Sequence, residues 1–176
     1  NALDRATLAE LHLAFDQARA DDSVRVVVLT GAGAKAFVAG ADIAELAAQT
    51  PNGALELSRF GQALMTKVER LGKPVIAAIG GFALGGGMEL AMACTLRVAA
   101  DSAKLGQPEV NLGLLPGFGG TQRLLRLAGR GAALELCLLG TPITAQRAYE
   151  LGIVNRVVPI AELAATYEKM GFGEKA

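Results

Sequence analysis

The sequence is poor in the residues on which much enzyme chemistry depends. It has one histidine, His12, and two cysteines, Cys94 and Cys137. A lone histidine set between Leu11 and Leu13 in a helical pattern, with no cysteine cluster, offers neither a transition-metal ligand set nor a base for a serine nucleophile. The cysteines lie far apart inside apolar segments. They read as free core thiols in a reducing compartment, with no disulfide framework. Net charge is missing too: 17 Lys+Arg balance 17 Asp+Glu, so no bulk field draws the chain to nucleic acid or an anionic membrane.

Other signatures fail on inspection. There is no Walker A pattern, no G-x-S-x-G elbow, no internal repeat and no low-complexity tract. Gly31-Ala-Gly33-Ala-Lys-Ala36 follows a strand pattern and satisfies a relaxed dinucleotide fingerprint. Yet no helix opens there at once, and Pro51-Asn52-Gly53 stand where the ribose-binding acid belongs, so the stretch reads as a plain turn. Asp4, Arg5, Glu10 and Asp16 interrupt any secretory apolar core near Asn1. Pro74 to Leu96 carries one charge, Glu89, but the uncharged run before it is shorter than a membrane span and contains Pro74 and five glycines. No membrane association is expected.

What is present is apolar and periodic. With 176 residues, 52% of them hydrophobic and 19% charged, the chain fits one globular domain with a sizeable core. Leu8, Leu11, Phe15 and Ala18 mark an amphipathic helix over about 4–20. Strands are expected at 24–30, 74–79, 96–100 and 153–158, with a brief extension at Phe37-Val38. Asp42 offers an N-cap for a short helix to Ala47, which Pro51 and Asn52 break; Leu57, Phe60, Leu64 and Val68 mark a longer one to about Arg70. Further helices are expected at about 86–95, 119–128, 131–139 and 144–151. Strands alternating with helices define an α/β domain with a substantial parallel component, and periodicity leaves a doubly wound sheet open.

The chemistry concentrates between Ala83 and Arg123. Gly85-Gly86-Gly87 opens a helix, so backbone N–H groups stand without partners and without side chains in the way, a setting for a developing oxyanion. Glu89 follows in apolar surroundings, and Glu109 sits behind Pro108 ahead of a glycine-rich turn, Pro116 to Gly120. Each acid alone reads equally well as ordinary: a solvated first-turn glutamate, and a surface acid in a proline turn. Together they suit paired acid/base work, in which burial lets one carboxyl hold a proton while its neighbour is ionised.

Four stretches resemble the enoyl-CoA hydratase/isomerase (crotonase) family: Lys35-Ala-Phe-Val-Ala-Gly-Ala-Asp42-Ile43, Gly85-Gly-Gly-Met-Glu89-Leu-Ala, Gly106-Gln-Pro-Glu109 and Pro116-Gly-Phe-Gly-Gly-Thr-Gln-Arg123. They stand in the family's order and spacing. The resemblance implies a crotonase-like spiral of ββα units with peripheral helices over residues 1–163, leaving 164–176 unplaced. It also implies truncation at both ends, since family members carry a strand pair before the position of Asn1 and a longer helical tail after Leu163.

For the site, the resemblance implies Glu89 and Glu109 as the catalytic acids and the N–H groups of Ala41 and Gly86 as the oxyanion hole. Ala39, Asp42, Ile43 and Gly117 follow as substrate-binding positions. The implied activity is hydration of trans-2-enoyl-CoA thioesters, with no metal or redox cofactor and with CoA as part of the substrate. An enoyl-CoA isomerase, or a non-catalytic acyl-CoA- or RNA-binding relative, is the alternative; two acids favour the hydratase. The chain departs from the pattern at Ala44, where hydratases often place a lysine near the CoA nucleotide. The expected assembly is a homo-oligomer, a trimer or a dimer of trimers, in the bacterial cytoplasm or a mitochondrial matrix.

Overall fold

The computed structural model describes residues 1–167, so most of the stretch set apart at 164–176 lies outside the described residues. Two four-stranded sheets carry the architecture. The first has the order β1 (Val27–Thr30), β3 (Val75–Ile79), β5 (Leu96–Ala100), β8 (Arg156–Val158) and is parallel throughout. The second has the order β2 (Ala36–Val38), β4 (Phe82–Leu84), β6 (Lys104–Gly106), β7 (Ile143–Thr144) and is parallel except between β6 and β7.

Strands β1 to β6 alternate between the sheets. β1 leads to β2 and then to helices α2 (Ile43–Ala47) and α3 (Pro51–Glu69); β3 leads to β4 and α4 (Gly86–Ala93). β5 leads to β6, a 3₁₀ helix at Pro108–Leu112 and α5 (Gly120–Leu139). Each ββα turn therefore advances both sheets by one strand, which is the spiral the resemblance implies and not a doubly wound single sheet. Helix α1 (Arg5–Ala20) packs on α3, while α6 (Ala145–Glu150) and α7 (Leu163–Tyr167) lie along the chain's last turns.

The local chemistry explains the elements. All five residues of β3 are buried, as a strand covered on both faces requires, and this is why Val75 to Ile79 reads as an unbroken apolar run. Asp4, Asp42, Thr50 and Thr144 cap their helices by accepting hydrogen bonds from backbone N–H groups of the first turn. Thr50 alters one expectation. Pro51 and Asn52 do not merely break a helix; with Thr50 as cap, Pro51 opens α3, where its missing N–H costs nothing.

Other expectations shift in their bounds. Val24 donates to Asp21 O in a turn, so the first strand starts at Val27. Ile153 and Val154 both donate to Ala148 O and close α6, leaving Arg156–Val158 as strand. The helices expected at 119–128 and 131–139 form one element with a break at Gly129, whose φ of 77° is outside helical space. Strands β4, β6 and β7 were not expected: they have two or three residues each, too few for alternation to register.

Helix α4 departs most from the ordinary reading of Glu89 as a solvated first-turn acid. All eight of its residues are buried, Glu89 included, so it has no solvent face. It threads between the sheets and the outer helices, touching β2, β4, α3 and α5. A methyl group at Gly87 would collide with the Val38 carbonyl, so this glycine lets α4 lie against β2. Among the described residues, no helix is long and apolar enough to cross a membrane.

Candidate active site

Three backbone segments meet over the N-terminus of α4. The first is Ala39–Ala41, which pairs with Asn1–Leu3: Ala39 N–H donates to Asn1 O at 2.9 Å, Leu3 N–H to Gly40 O at 2.8 Å and Asp42 N–H to Leu3 O at 3.3 Å. Between these bonds the Ala41 N–H takes no partner among the described residues. The second is Gly85-Gly86. Gly85 has φ 52° and precedes α4 with no side-chain cap, so the first N–H groups of the helix lack partners. The third is the turn Pro116–Gly120. Its Phe118 ring lies against Gly86, where an added Cβ would come within 3.2 Å of it.

Glu89 stands one turn into α4 and is 1% exposed. Its Oε1 accepts from Phe118 N–H at 2.8 Å and from Gly120 N–H at 2.6 Å. Among the described residues Oε2 takes no hydrogen bond, and Glu89 lines the cavity described below. One oxygen is anchored and the other is left for a bound molecule. Burial pushes the Glu89 carboxyl up to about 7, the Gly120 N–H opposing the rise and the charge of Glu109 adding to it.

Glu109 approaches from the 3₁₀ helix, half-buried. Its carboxylate covers Gly85: a Cβ there would lie 3.0 Å from Oε1, so glycine is needed at this approach as well as for its φ. In the amide orientation that satisfies both ends of its side chain, the fully buried Gln107 donates to Glu109 Oε1 at 2.9 Å and Oε2 at 3.0 Å. Burial pushes Glu109 up to about 7. Both acids are therefore raised toward neutral pH, where a carboxyl can take or give a proton at small cost.

The acids border one cavity of about 330 Å³. Its walls are mostly apolar, with Ile43, Leu46 and Leu57 on one side and Leu112, Leu114 and Leu115 on the other. Of the positions named from the sequence, Glu89, Glu109, Ala41, Gly86, Ala39, Ile43 and Gly117 all line it. Asp42 does not: its carboxylate accepts from Glu45 N–H at 2.8 Å as the cap of α2. Burial excludes the reading of Glu89 as a solvated acid; Glu109, half-buried, departs from the surface reading because its carboxylate faces the cavity over Gly85. Sequence reasoning missed Gln107, although it stands inside the quoted Gly106–Glu109 motif, and it missed Ser58 and Phe118. Ser58 gives no local signal, since a serine on a helix is unremarked until the helix forms a wall.

A two-layer ββα spiral with paired acids over a glycine-opened helix defines a crotonase-type protein. The sequence pattern of the family described as "Enoyl-CoA hydratase/isomerase" matches residues 1–171, and the chain belongs to that family. Among its relatives, "Crotonyl-CoA hydratase" of Syntrophomonas wolfei is 48% identical over 97% of this chain and 65% of its own length. "Short-chain-enoyl-CoA hydratase" of Clostridium acetobutylicum is 46% identical over 97% of this chain and 65% of its own. The crystal structure of enoyl-CoA hydratase from Bacillus anthracis superposes with a TM-score of 0.92 at 47% identity, over 96% of this chain and 66% of that one. The chain thus spans about two thirds of the length of these relatives.

The raised carboxyls make stability depend on pH. Folded Glu89 keeps its proton up to about 7, whereas an ordinary glutamate loses it near 4.5. The folded state therefore binds more protons in that window, and stability falls as pH rises through it. Glu89→Gln keeps an acceptor for both N–H donors and removes the ionisation. Its stability relative to wild type should rise by about 2–3 kcal/mol between about pH 5 and about pH 8 in urea unfolding. A difference independent of pH would show that Glu89 is ionised when folded.

Proposed function

We propose that this protein adds water across the C2–C3 double bond of trans-2-enoyl-CoA thioesters. The observation that carries the reading is the convergence of two raised-pKa carboxyls and two unpartnered N–H groups on one apolar cavity. The printed names of the relatives point the same way.

The thioester carbonyl sits against the N–H groups of Ala41 and Gly86. Ionised Glu89, anchored through Oε1, takes a proton from a water at Oε2 as the water oxygen bonds to C3. The C2–C3 π electrons move toward the carbonyl, and the enolate charge rests on the two N–H donors, each contributing about 2.7–4 kcal/mol if the pair resembles other oxyanion holes. Protonated Glu109 gives its proton to C2. The product has gained one water, and a proton returns from Glu89 to Glu109 through solvent. Gln107 holds Glu109 toward the cavity. The apolar walls favour an aliphatic acyl chain, and the CoA portion enters with the substrate.

The direct test is hydration of crotonyl-CoA, followed by loss of the conjugated thioester's absorbance. Glu89→Gln and Glu109→Gln should each lower kcat by about 10²-fold or more. The double variant should lose less than the product of the two, because groups that act as a unit are not additive. Full activity in Glu89→Gln with none in Glu109→Gln would replace this scheme with single-acid proton shuttling, as in an isomerase.

The proposal extends to assembly with further copies of the chain, as a trimer or a dimer of trimers. Leu115, Leu138 and Leu139 are 74%, 62% and 64% exposed, apolar side chains that a further copy of the chain would cover. Light scattering on the intact protein should return a multiple of three chain masses, and a monodisperse monomer would contradict it.

A further inference from the structure

The two N–H groups that hold Glu89 belong to a short turn, and the turn is itself held from behind. Gly117 O accepts from Ser58 Oγ at 2.6 Å and from Gln62 Nε2 at 2.9 Å, both on α3. Phe118 O accepts from Arg123 Nη1 at 3.0 Å. Arg123 in turn grips Glu69, near the end of α3, with Nε to Oε1 at 2.9 Å and Nη2 to Oε2 at 2.8 Å. Gly61, between these contacts on α3, leaves the space the Phe118 ring occupies, since a Cβ there would collide with the ring. The carbonyls of residues 117 and 118 thus face α3 and Arg123, while the N–H groups of residues 118 and 120 face Glu89.

We propose that Gln62 and the Glu69–Arg123 pair are positioning residues that fix the turn at Gly117–Gly120 and, through it, the orientation of the Glu89 carboxylate. Neither Gln62 nor Glu69 lines the cavity, so neither touches substrate; Ser58 makes the same contact as Gln62 but also forms the wall. The fork geometry matters for Arg123, because two parallel bonds to Glu69 fix the guanidinium plane and so aim the third contact at Phe118 O. Arg123 is largely covered while Glu69 is partly exposed, and an ion pair open to solvent on one side usually contributes little to stability. Here its effect is on geometry.

The consequence is a defined shift in ionisation. N–H donors favour the charged form of a carboxyl, so loosening the turn weakens both bonds and raises Glu89 further. The groups facing Glu89 among the described residues are Glu109 from the 3₁₀ helix and Arg123 and Cys137 from α5. Helix α3 presents Glu69 to it only through Arg123. Removing the negative charge of Glu69 and leaving Arg123 in place would, by Coulomb's law alone, lower Glu89. The positioning account requires the opposite sign.

The inference rests on the hydratase reading for its kinetic arm only. In the intact protein, Gln62→Met and Glu69→Gln, singly and together, keep side-chain size and leave every cavity residue in place. With crotonyl-CoA, the double variant should lose about 10-fold in kcat with KM within about 2-fold, and the limb of the pH profile that reports the base should move to higher pH. Carbon-13 titration of the Glu89 carboxyl in the resting protein, assigned with Glu89→Gln, reads the same upward shift without turnover. If the parent protein fails to hydrate crotonyl-CoA, the functional proposal falls and the titration still decides this one. An unmoved or lowered Glu89 titration in the double variant overturns the inference, whatever kcat does.

Discussion

A carboxyl group in the middle of a protein costs free energy unless something answers its charge, and the centre of this fold is arranged around that cost. Glu89 is 1% exposed, on a helix with no solvent face. Its answer is a pair of backbone N–H groups from a turn that lies 29 and 31 residues further along the chain. Two N–H bonds do not fully offset the lost hydration, and the carboxyl is left up to about 7. For the base role proposed for Glu89 that partial compensation is useful: a fully solvated glutamate would be too weak a base near neutral pH, and an uncompensated one would stay protonated. The turn must therefore be placed closely, and α3, α4 and α5 are packed against it on three sides.

The same economy governs the glycines. Gly85 must reach φ 52° and also admit the Glu109 carboxylate, and Gly87 must let α4 lie on β2. Neither requirement alone makes a site. Together they bring a helix N-terminus with free N–H groups to the edge of the second sheet, opposite the unpartnered N–H of Ala41. The spiral supplies this because each ββα turn sets the end of a second-sheet strand beside the start of the next helix. β4 delivers Gly85 and Gly86, and β6 delivers Gln107 and Glu109.

Much of this was legible in the residues. The buried strand β3, the cap at Asp42 and the glycine-opened helix all follow from local patterns in which short-range physics and the fold agree. The choice of a spiral over a doubly wound sheet did not, because strands of two or three residues such as β4, β6 and β7 give periodicity too little to act on; family motifs supplied it. The ordinary reading of Glu89 as a solvated acid failed for a related reason. Burial of α4 on every face is a tertiary property, and a glutamate in an apolar segment looks the same in sequence whether its carboxyl meets water or a distant turn. The clamp of Ser58, Gln62 and Arg123 on residues 117 and 118 spans separations from 5 to 59 residues, and only the folded chain shows it.

The central claim is geometric: one thioester held by two N–H donors with both acids at its C2–C3 bond. A crystal structure of the intact protein with a bound acyl-CoA analogue that cannot be hydrated tests it most directly. The account predicts the thioester oxygen within about 3 Å of the Ala41 and Gly86 nitrogens, with C2 and C3 facing the Glu109 and Glu89 carboxyls. A thioester carbonyl bound away from these two N–H groups, or an acyl chain lying where only one carboxyl can reach it, would contradict it.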